Sequence, residues 1–171
     1  IANQQGIRED DQDLKKVAVW NYFRGASRSP GDQGGSTIIL HTRDKESWFW
    51  FIPLRDDITS IGVVADSDYL VKGRGDAGQV FAEELELCPV LGDWLSAAEA
   101  TDRYRIAKEF SYRTGQQAGD GWVLVGDAFG FIDPIYSSGV YFALKTGELA
   151  ADAIIEGLAG DDLSAGQLGG W

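Results

Sequence analysis

The sequence predicts a mixed fold with features of the α+β and α/β classes, in which an antiparallel sheet is followed by a strand–loop–helix segment. In the first half of the chain, short runs of β-branched and aromatic residues alternate with tight polar turns, which is typical of an antiparallel meander. In the second half, an apolar run ends at Gly126-Asp127 and a long amphipathic stretch starts near Ser137. This order favours a buried strand of the parallel type that leads into a helix.

Four segments predict the strands of the sheet, because each is rich in residues that favour extended structure. They are KKVAVWNYFRGA (15–26), TIILHT (37–42), SWFWFIPL (47–54) and TSIGVVAD (59–66). A further segment, TDRYRIAKEFSY (101–112), is also compatible with extended structure.

The segment SWFWFIP predicts an internal strand. Side chains alternate between the two faces of a strand, so its tryptophans share one face and its phenylalanines the other. Both faces are therefore apolar and need cover. We expect Trp48, Trp50 and Phe51 to be largely buried, and the strand to end at Ile52-Pro53.

Two segments have helical periodicity. The first covers residues 77–88, halts before Pro89, and repeats its apolar residues at helical spacing. The second is SSGVYFALKTGELAADAIIEGL (137–158), in which either of the two serines is a candidate N-cap. The residues predicted to share its packed face are Val140, Leu144, Gly147 and Ala151.

These elements predict three parts of the chain. Residues 1–14 are polar and are interpreted as a lead-in loop with at most a short helical turn. Residues 15–112 form the antiparallel sheet domain with the helix near 77–88, and residues 113–171 form a second domain. The chain starts at Ile1 and contains no methionine, so we interpret it as part of a longer protein.

Composition excludes several classes of function. The net charge of −12 argues against nucleic acid or an anionic membrane as a partner, and no run of about 18 apolar residues predicts a membrane span. The sequence has one cysteine, Cys88, and one histidine, His41, so we expect no disulfide framework and no metal site. Cytoplasmic localisation is the default expectation. His41 is interpreted as an ordinary strand residue.

The segment GRGDAG (73–78) matches the glycine spacing of a dinucleotide-binding turn. Such a turn must follow directly from a buried strand. Here the preceding residues are polar and charged, so we interpret the segment as a connection into the helix that follows.

The second half contains the candidate site. Asp127 follows a predicted buried strand, where open α/β sheets bind ligands, and its carboxylate suits hydroxyl donors such as a ribityl chain. Gly126 permits close approach of the backbone. Ser138, Gly139 and Val140 would offer free amides at a helix N-terminus, which favours an anion. A reduced flavin fits both halves, but a simple helix cap formed by Asp127 fits the spacing equally well.

The segment GDAFGFIDPIYSSGVYFAL resembles the GD-box and following helix of FAD-dependent oxidoreductases of the p-hydroxybenzoate hydroxylase fold. Within that group, WFWFIP resembles the W-x-W-x-I-P motif of flavin-dependent halogenases. The resemblance extends from about Leu14 to the end of the chain. It implies that residues 113–171 are the C-terminal part of a Rossmann-like FAD-binding domain, and that the antiparallel sheet belongs to the substrate domain.

The resemblance also implies roles for individual residues. Asp127 would bind the ribityl chain of FAD beside Gly126. Ser138, Gly139 and Val140 would face the pyrimidine edge of the flavin near Pro134, and Ser138-Gly139 would lie near the halide. The residues implied to wall the substrate channel are Trp48, Trp50, Ile52, Pro53 and Tyr136.

The implied chemistry is oxidation of halide to hypohalous acid by reduced FAD and oxygen, after which a lysine relays the halogen to an aromatic substrate. A separate flavin reductase would supply reduced FAD. Lys15 and Lys16 match no motif position, so the catalytic lysine is expected upstream of this chain, which alone would be inactive.

Tyr136 departs from the tryptophan-specific branch, which has glutamate at this position. The resemblance therefore implies a phenol or pyrrole substrate, either free or tethered to a carrier protein. The alternatives are a non-halogenating FAD monooxygenase, an enzyme of the geranylgeranyl reductase type, and a non-catalytic binding module.

Overall fold

The computed structural model describes residues 1–11, 14–108 and 111–171. It divides the chain into two compact units, one formed by Ile1–Leu14 with Phe110–Trp171 and the other by Lys15–Glu109. The helices are α1 (Ala2–Gln5), α2 (Ser67–Leu70), α3 (Ala77–Glu86), α4 (Pro89–Leu95), α5 (Gly139–Gly160) and α6 (Ala165–Leu168). The strands are β1 (Arg8–Asp10), β2 (Lys16–Arg24), β3 (Ile38–His41), β4 (Ser47–Pro53), β5 (Ile58–Asp66), β6 (Glu99–Ala100), β7 (Arg105–Lys108), β8 (Tyr112–Thr114), β9 (Ala118–Gly119), β10 (Trp122–Val123) and β11 (Gly130–Phe131).

The unit Lys15–Glu109 is built on an antiparallel sheet with strand order β3-β4-β5-β2-β6, and β7 also pairs with β2. The long central pair sets the register, with Val19 opposite Val63, and Phe49 of β4 also lies opposite Val63. The predicted antiparallel meander is confirmed. His41 ends β3 as an exposed strand residue, and β7 confirms extended structure over Arg105–Lys108.

One face of this sheet packs against α3 and α4. Phe81 of α3 contacts Phe49 edge-on at 5.5 Å between ring centroids and stacks on Phe23 at 5.6 Å. The buried core residues of this face come from β2, β4, β5 and the helices, and include Val17, Val19, Phe51, Ile61, Val63, Val80 and Leu91. Alternation along the strands places these side chains together, because residues two apart point to the same face.

The opposite face of the sheet contains a tryptophan cluster. Trp50 lies 6.3 Å from Trp20 and 6.4 Å from Trp48 between ring centroids. Gly62 lies beneath them, since a Cβ at this position would be 2.3 Å from the Trp50 ring. The prediction of an internal strand is confirmed, with Trp48 and Phe51 buried, Trp50 half-buried, and β4 ending at Pro53.

The helix predicted over 77–88 is α3, which ends two residues earlier at Glu86. The side chain of Asp76 caps it by accepting a hydrogen bond from the amide of Gln79 at 3.0 Å. The segment GRGDAG therefore leads into α3 and provides its N-cap. This confirms the interpretation of the segment as a connection into the helix.

The other unit contains a three-stranded antiparallel sheet with order β1-β8-β11. The predicted short helical turn is α1, but the interpretation of residues 1–14 as a loop is wrong at β1, which pairs Glu9 with Arg113. The segment GWVLVGD contains β10, which pairs antiparallel with β9 in the described residues. A parallel strand requires a parallel neighbour reached through a crossover, and the described residues supply none, so the parallel type of this strand stays a prediction.

The long helix α5 buries a different face from the predicted one. Ala150, Ala153 and Gly157 are its buried residues, and Gln167 of α6 donates to the Ala153 carbonyl at 3.1 Å. Val140 and Leu144 are 74% and 71% exposed. The prediction placed the most hydrophobic residues of α5 on its packed face. The structure instead packs α6 against the small residues of α5, where the two helices can approach closely. None of the helices in the described ranges is both long enough and apolar enough to cross a membrane.

Candidate functional site

The site starts at a tight turn, Gly126–Ala128, which follows the buried residue Leu124. Gly126 is buried and has a left-handed backbone with φ of 54°. A Cβ at this position would lie 3.0 Å from the Cβ of Ala143 on α5. Glycine is therefore required twice, once for the backbone angle and once for the close approach of the helix.

Side chains from two other elements hold this turn. The Gly126 amide donates to Thr146 Oγ1 on α5 at 2.8 Å. The hydroxyl of Tyr112 on β8 donates to the Asp127 carbonyl, and the hydroxyl of Thr114 donates to the Phe129 carbonyl at 2.8 Å. The backbone of the turn is thus anchored on both sides.

The carboxylate of Asp127 is left available by this arrangement. It is exposed, and it accepts no hydrogen bond from the residues that the structure describes. Asp127 is not the cap of α5, because Ser138 occupies the N-cap position. This geometry disfavours the alternative in which Asp127 is a simple helix cap, and it leaves the carboxylate free to accept from a ligand.

The N-terminus of α5 lies beside this carboxylate. A Cβ added to Gly139 would be 3.9 Å from Asp127 Oδ1. The first intrahelical hydrogen bond runs from the Phe142 amide to the Ser138 carbonyl at 3.0 Å, so the preceding amides have no acceptor within the helix. The Ser138 side chain makes no capping bond. Ser137 has a left-handed backbone with φ of 50° and turns the chain into the helix.

A cavity of about 290 Å³ lies between the turn and the helix N-terminus. The predicted site residues that line it are Gly126, Asp127, Pro134, Ser138 and Gly139. Val140 is exposed and does not line it, and Tyr136 projects outward with 88% of its surface exposed. The cavity also has aromatic walls that the sequence analysis did not assign, which are Tyr112, Phe129, Phe131 and Phe142.

Two charged residues border the cavity beside Asp127. Asp133 caps the turn Pro134–Tyr136 by accepting from the Ile135 amide at 3.0 Å. Arg113 pairs with Glu9 on β1 at 3.2 Å. Arg8 stacks over the Tyr112 ring at 3.9 Å from its centroid, which positions the ring whose hydroxyl holds the turn.

The residues predicted to wall a substrate channel belong to the other compact unit, apart from Tyr136. Trp48 and Trp50 lie on the face of the sheet that also contains Trp20, a residue that sequence reasoning missed. Its position two residues before Tyr22 on β2 gives the same alternation that identified Trp48 and Trp50. Ile52 and Pro53 end β4 on partly buried positions. Their channel role stays a prediction.

The chain is similar in sequence to known halogenases. A family model described as tryptophan halogenase matches residues 35–168. The flavin-dependent halogenase gsfI of Penicillium aethiopicum is 35% identical, over 90% of this chain and 30% of the relative. A brominase of 1H-pyrrole-2-carbonyl peptidyl-carrier protein from Pseudoalteromonas luteoviolacea is 33% identical, over 92% of this chain and 39% of the relative.

Solved structures give the same result. The flavin-dependent brominase Bmp2 matches with a TM-score of 0.83 at 33% identity, covering 91% of this chain and 39% of that chain. The flavin-dependent halogenase CmlS matches with a TM-score of 0.85 at 33% identity, covering 99% of this chain and 30% of that chain. The chain thus spans 30% to 39% of the length of these relatives.

Proposed function

Because this chain belongs to the tryptophan halogenase family, we propose that the protein containing it is an FAD-dependent halogenase that acts on an electron-rich aromatic of the phenol or pyrrole class. The substrate is either free or tethered to a carrier protein, as in the pyrrolyl carrier-protein brominase that the chain resembles. The family is named after tryptophan, but this relative acts on a pyrrolyl carrier protein, so the family name does not determine the substrate. Tyr136 stands where the tryptophan-specific branch has glutamate, which favours a phenol or pyrrole over free tryptophan.

The observation that carries the proposal is the shared cavity of Asp127 and the N-terminus of α5. A flavin needs an acceptor for the hydroxyls of its ribityl chain and donors for its pyrimidine edge. The Asp127 carboxylate accepts no hydrogen bond from the described residues, and the amides at the start of α5 have no intrahelical acceptor. Both halves of the requirement are therefore present within one cavity.

The residues of this chain perform binding and positioning. Bound FAD in its reduced form supplies, with oxygen, the oxidising power that makes halide electrophilic. Asp127 would hold the ribityl chain, and the amides of Ser138 and Gly139 would face the pyrimidine edge of the flavin at the positive end of the helix dipole, with the halide near them. The aromatic walls of the cavity exclude water, which strengthens these electrostatic contacts.

The remaining parts of the reaction need groups that do not line this cavity, some from this chain and some from the rest of the protein. Trp48, Trp50, Ile52 and Pro53 wall the path that the activated halogen follows to the substrate. The relay lysine belongs to the part of the protein that this chain does not span. A flavin reductase supplies the reduced cofactor. We propose a cytoplasmic location, which suits a protein whose cysteine in this chain, Cys88, is free.

Asp127→Ala in the full-length protein tests the binding site. We expect the dissociation constant of FAD to rise about 10- to 100-fold, since hydrogen bonds to a charged group contribute about 1.5–3 kcal/mol. Asp152→Ala is the matched control, because Asp152 is exposed on α5 away from the cavity. Flavin fluorescence measures both constants, and equal affinities of the two variants would contradict the role of Asp127.

The reaction is tested with the same protein, reduced FAD from a flavin reductase, bromide, and either a phenol or a pyrrolyl carrier protein. We expect a product with the isotope pattern of bromine that disappears when bromide is omitted. A hydroxylated product that forms without halide would overturn halogenation in favour of a monooxygenase. A protein that does not bind FAD would support a non-catalytic module.

A further inference from the structure

Thr146 occupies an unusual position in α5, because its hydroxyl makes hydrogen bonds in two directions. It accepts from the Gly126 amide at 2.8 Å and donates to the Phe142 carbonyl at 2.7 Å. A threonine that bonds back to the carbonyl four residues earlier is common in helices. The bond from Gly126 is different, since it crosses 20 residues of sequence and joins the helix to the turn.

The Gly126 amide has a strong need for this acceptor. Gly126 is buried, and a buried amide without a partner is costly enough that nearly all are paired. If the Thr146 hydroxyl is removed, the turn must shift until another acceptor or water reaches the amide. Asp127 is the next residue, so the same shift moves its carboxylate relative to Gly139. The two are close, since a Cβ added to Gly139 would be 3.9 Å from Asp127 Oδ1.

We propose that Thr146 is a positioning residue, whose hydroxyl sets the distance between the Asp127 carboxylate and the N-terminus of α5. The proposal rests on the function proposed above, in which these two groups bind different parts of one flavin. Thr146 acts through the turn: its hydroxyl satisfies the Gly126 amide, and its helix defines where the amides of Ser138 and Gly139 lie. It thereby matches the spacing of the two groups to the length of the ligand.

The test uses four variants of the full-length protein. Thr146→Val keeps the shape of the side chain but removes both hydrogen bonds, and Thr146→Ala removes them in a residue that favours helices. Thr146→Ser keeps the hydroxyl. Thr101→Val is the matched control, because the Thr101 hydroxyl also donates to a backbone carbonyl, that of Tyr22 at 3.1 Å, in the other unit. Flavin fluorescence measures the dissociation constant of FAD for each.

We expect the dissociation constant to rise about tenfold in Thr146→Val and Thr146→Ala, the effect of losing one hydrogen bond of about 1.4 kcal/mol. In Thr146→Ser and Thr101→Val the dissociation constant should stay within about twofold of that of the unmodified protein. A change of that size is clearly smaller than the tenfold rise expected for the other two variants. Rescue by serine separates the hydroxyl from the packing of the side chain. Unchanged affinity in both Thr146→Val and Thr146→Ala would overturn the proposal.

A double variant shows whether Thr146 acts through Asp127. If it does, adding Thr146→Val to Asp127→Ala should weaken FAD binding by much less than tenfold, because residues in one network are not additive. A full further loss would mean that the hydroxyl acts elsewhere, and would overturn the proposal. If the unmodified protein does not bind FAD, the proposed function fails instead, so the two failures are distinguishable.

Discussion

The buried carboxylate of Glu84 provides a sharp test of how the sheet unit is stabilised. The Glu84 side chain is 1% exposed and accepts from Arg74 Nη1 at 2.6 Å, Ser47 Oγ at 2.6 Å and Tyr69 Oη at 3.3 Å. Its neighbour Glu83 also pairs with Arg74, at 2.6 Å, but is 44% exposed. The two glutamates share one partner and differ in burial.

We expect Glu84→Ala to lower the free energy of unfolding by about 3 kcal/mol, at the lower end of the 3–5 kcal/mol for breaking a buried ion pair. The lower end applies because Arg74 keeps its bonds to Glu83. Ser47 also contacts Thr42 Oγ1 at 3.1 Å, so its hydroxyl is not left without a neighbour. The loss therefore comes mainly from three hydrogen bonds to a charged acceptor in a dry site.

Glu83→Ala is the matched control and should have a much smaller effect, because an exposed ion pair is screened by water. Urea unfolding followed by tryptophan fluorescence reports mainly on this unit, since it contains four of the six tryptophans, Trp20, Trp48, Trp50 and Trp94. Equal losses in the two variants would refute the reasoning, because the difference between them rests on the burial of Glu84 and on its hydrogen bonds from Ser47 and Tyr69.

Three further predictions follow from the structure. Gly62→Ala should destabilise the sheet unit by about 1–3 kcal/mol, because the added Cβ would be 2.3 Å from the Trp50 ring; Gly92→Ala, whose Cβ would have no atom within 4 Å, should be neutral or stabilising in the same urea experiment. Burial and the Glu84 carboxylate raise the pKa of Tyr69 to about 12, so its stabilising contribution is complete below pH 10 and is lost as the pH rises toward 12. Unfolding measured between pH 9 and 12 should therefore depend less on pH in Tyr69→Phe than in the unmodified protein, and equal slopes would contradict this. The isolated chain should bind FAD at least about 10³-fold more weakly than the full-length protein, because a cavity of about 290 Å³ is at the lower limit for a drug-sized ligand; micromolar binding in a fluorescence titration would contradict it.

The elements of the sheet could be predicted because strand periodicity reports burial directly. In β4 both faces are apolar: Phe49 packs on Phe81 of α3 on one side, and Trp48 and Trp50 pack with Trp20 on the other. The family resemblance was also predictable, since W-x-W-x-I-P and the GD-box are local motifs. The family match over residues 35–168 confirms it.

The orientation of α5 could not be predicted in the same way. Its apolar stripe and its buried face are different sides of the helix: Leu144 is exposed, while Ala150 and Gly157 are buried. A Cβ on Gly157 would be 2.4 Å from the Asp162 carbonyl, so the contact depends on a small residue. Hydrophobic periodicity ranks faces by transfer free energy and takes no account of how closely a backbone must approach.

The candidate site shows the same limit at a smaller scale. The GD-box identified Gly126 and Asp127, but the groups that hold them, Tyr112 and Thr146, lie 15 and 20 residues from their partners. Neither residue belongs to a pattern, because a hydroxyl in a strand or a helix is common and its partner is set by tertiary contact. The structure shows why these partners are needed at Gly126, where three constraints coincide: the left-handed backbone, the contact with Ala143 and the bond to Thr146. Any substitution that relaxes one of these three constraints changes where Asp127 points, so the site depends on the packing of α5 as much as on the carboxylate itself.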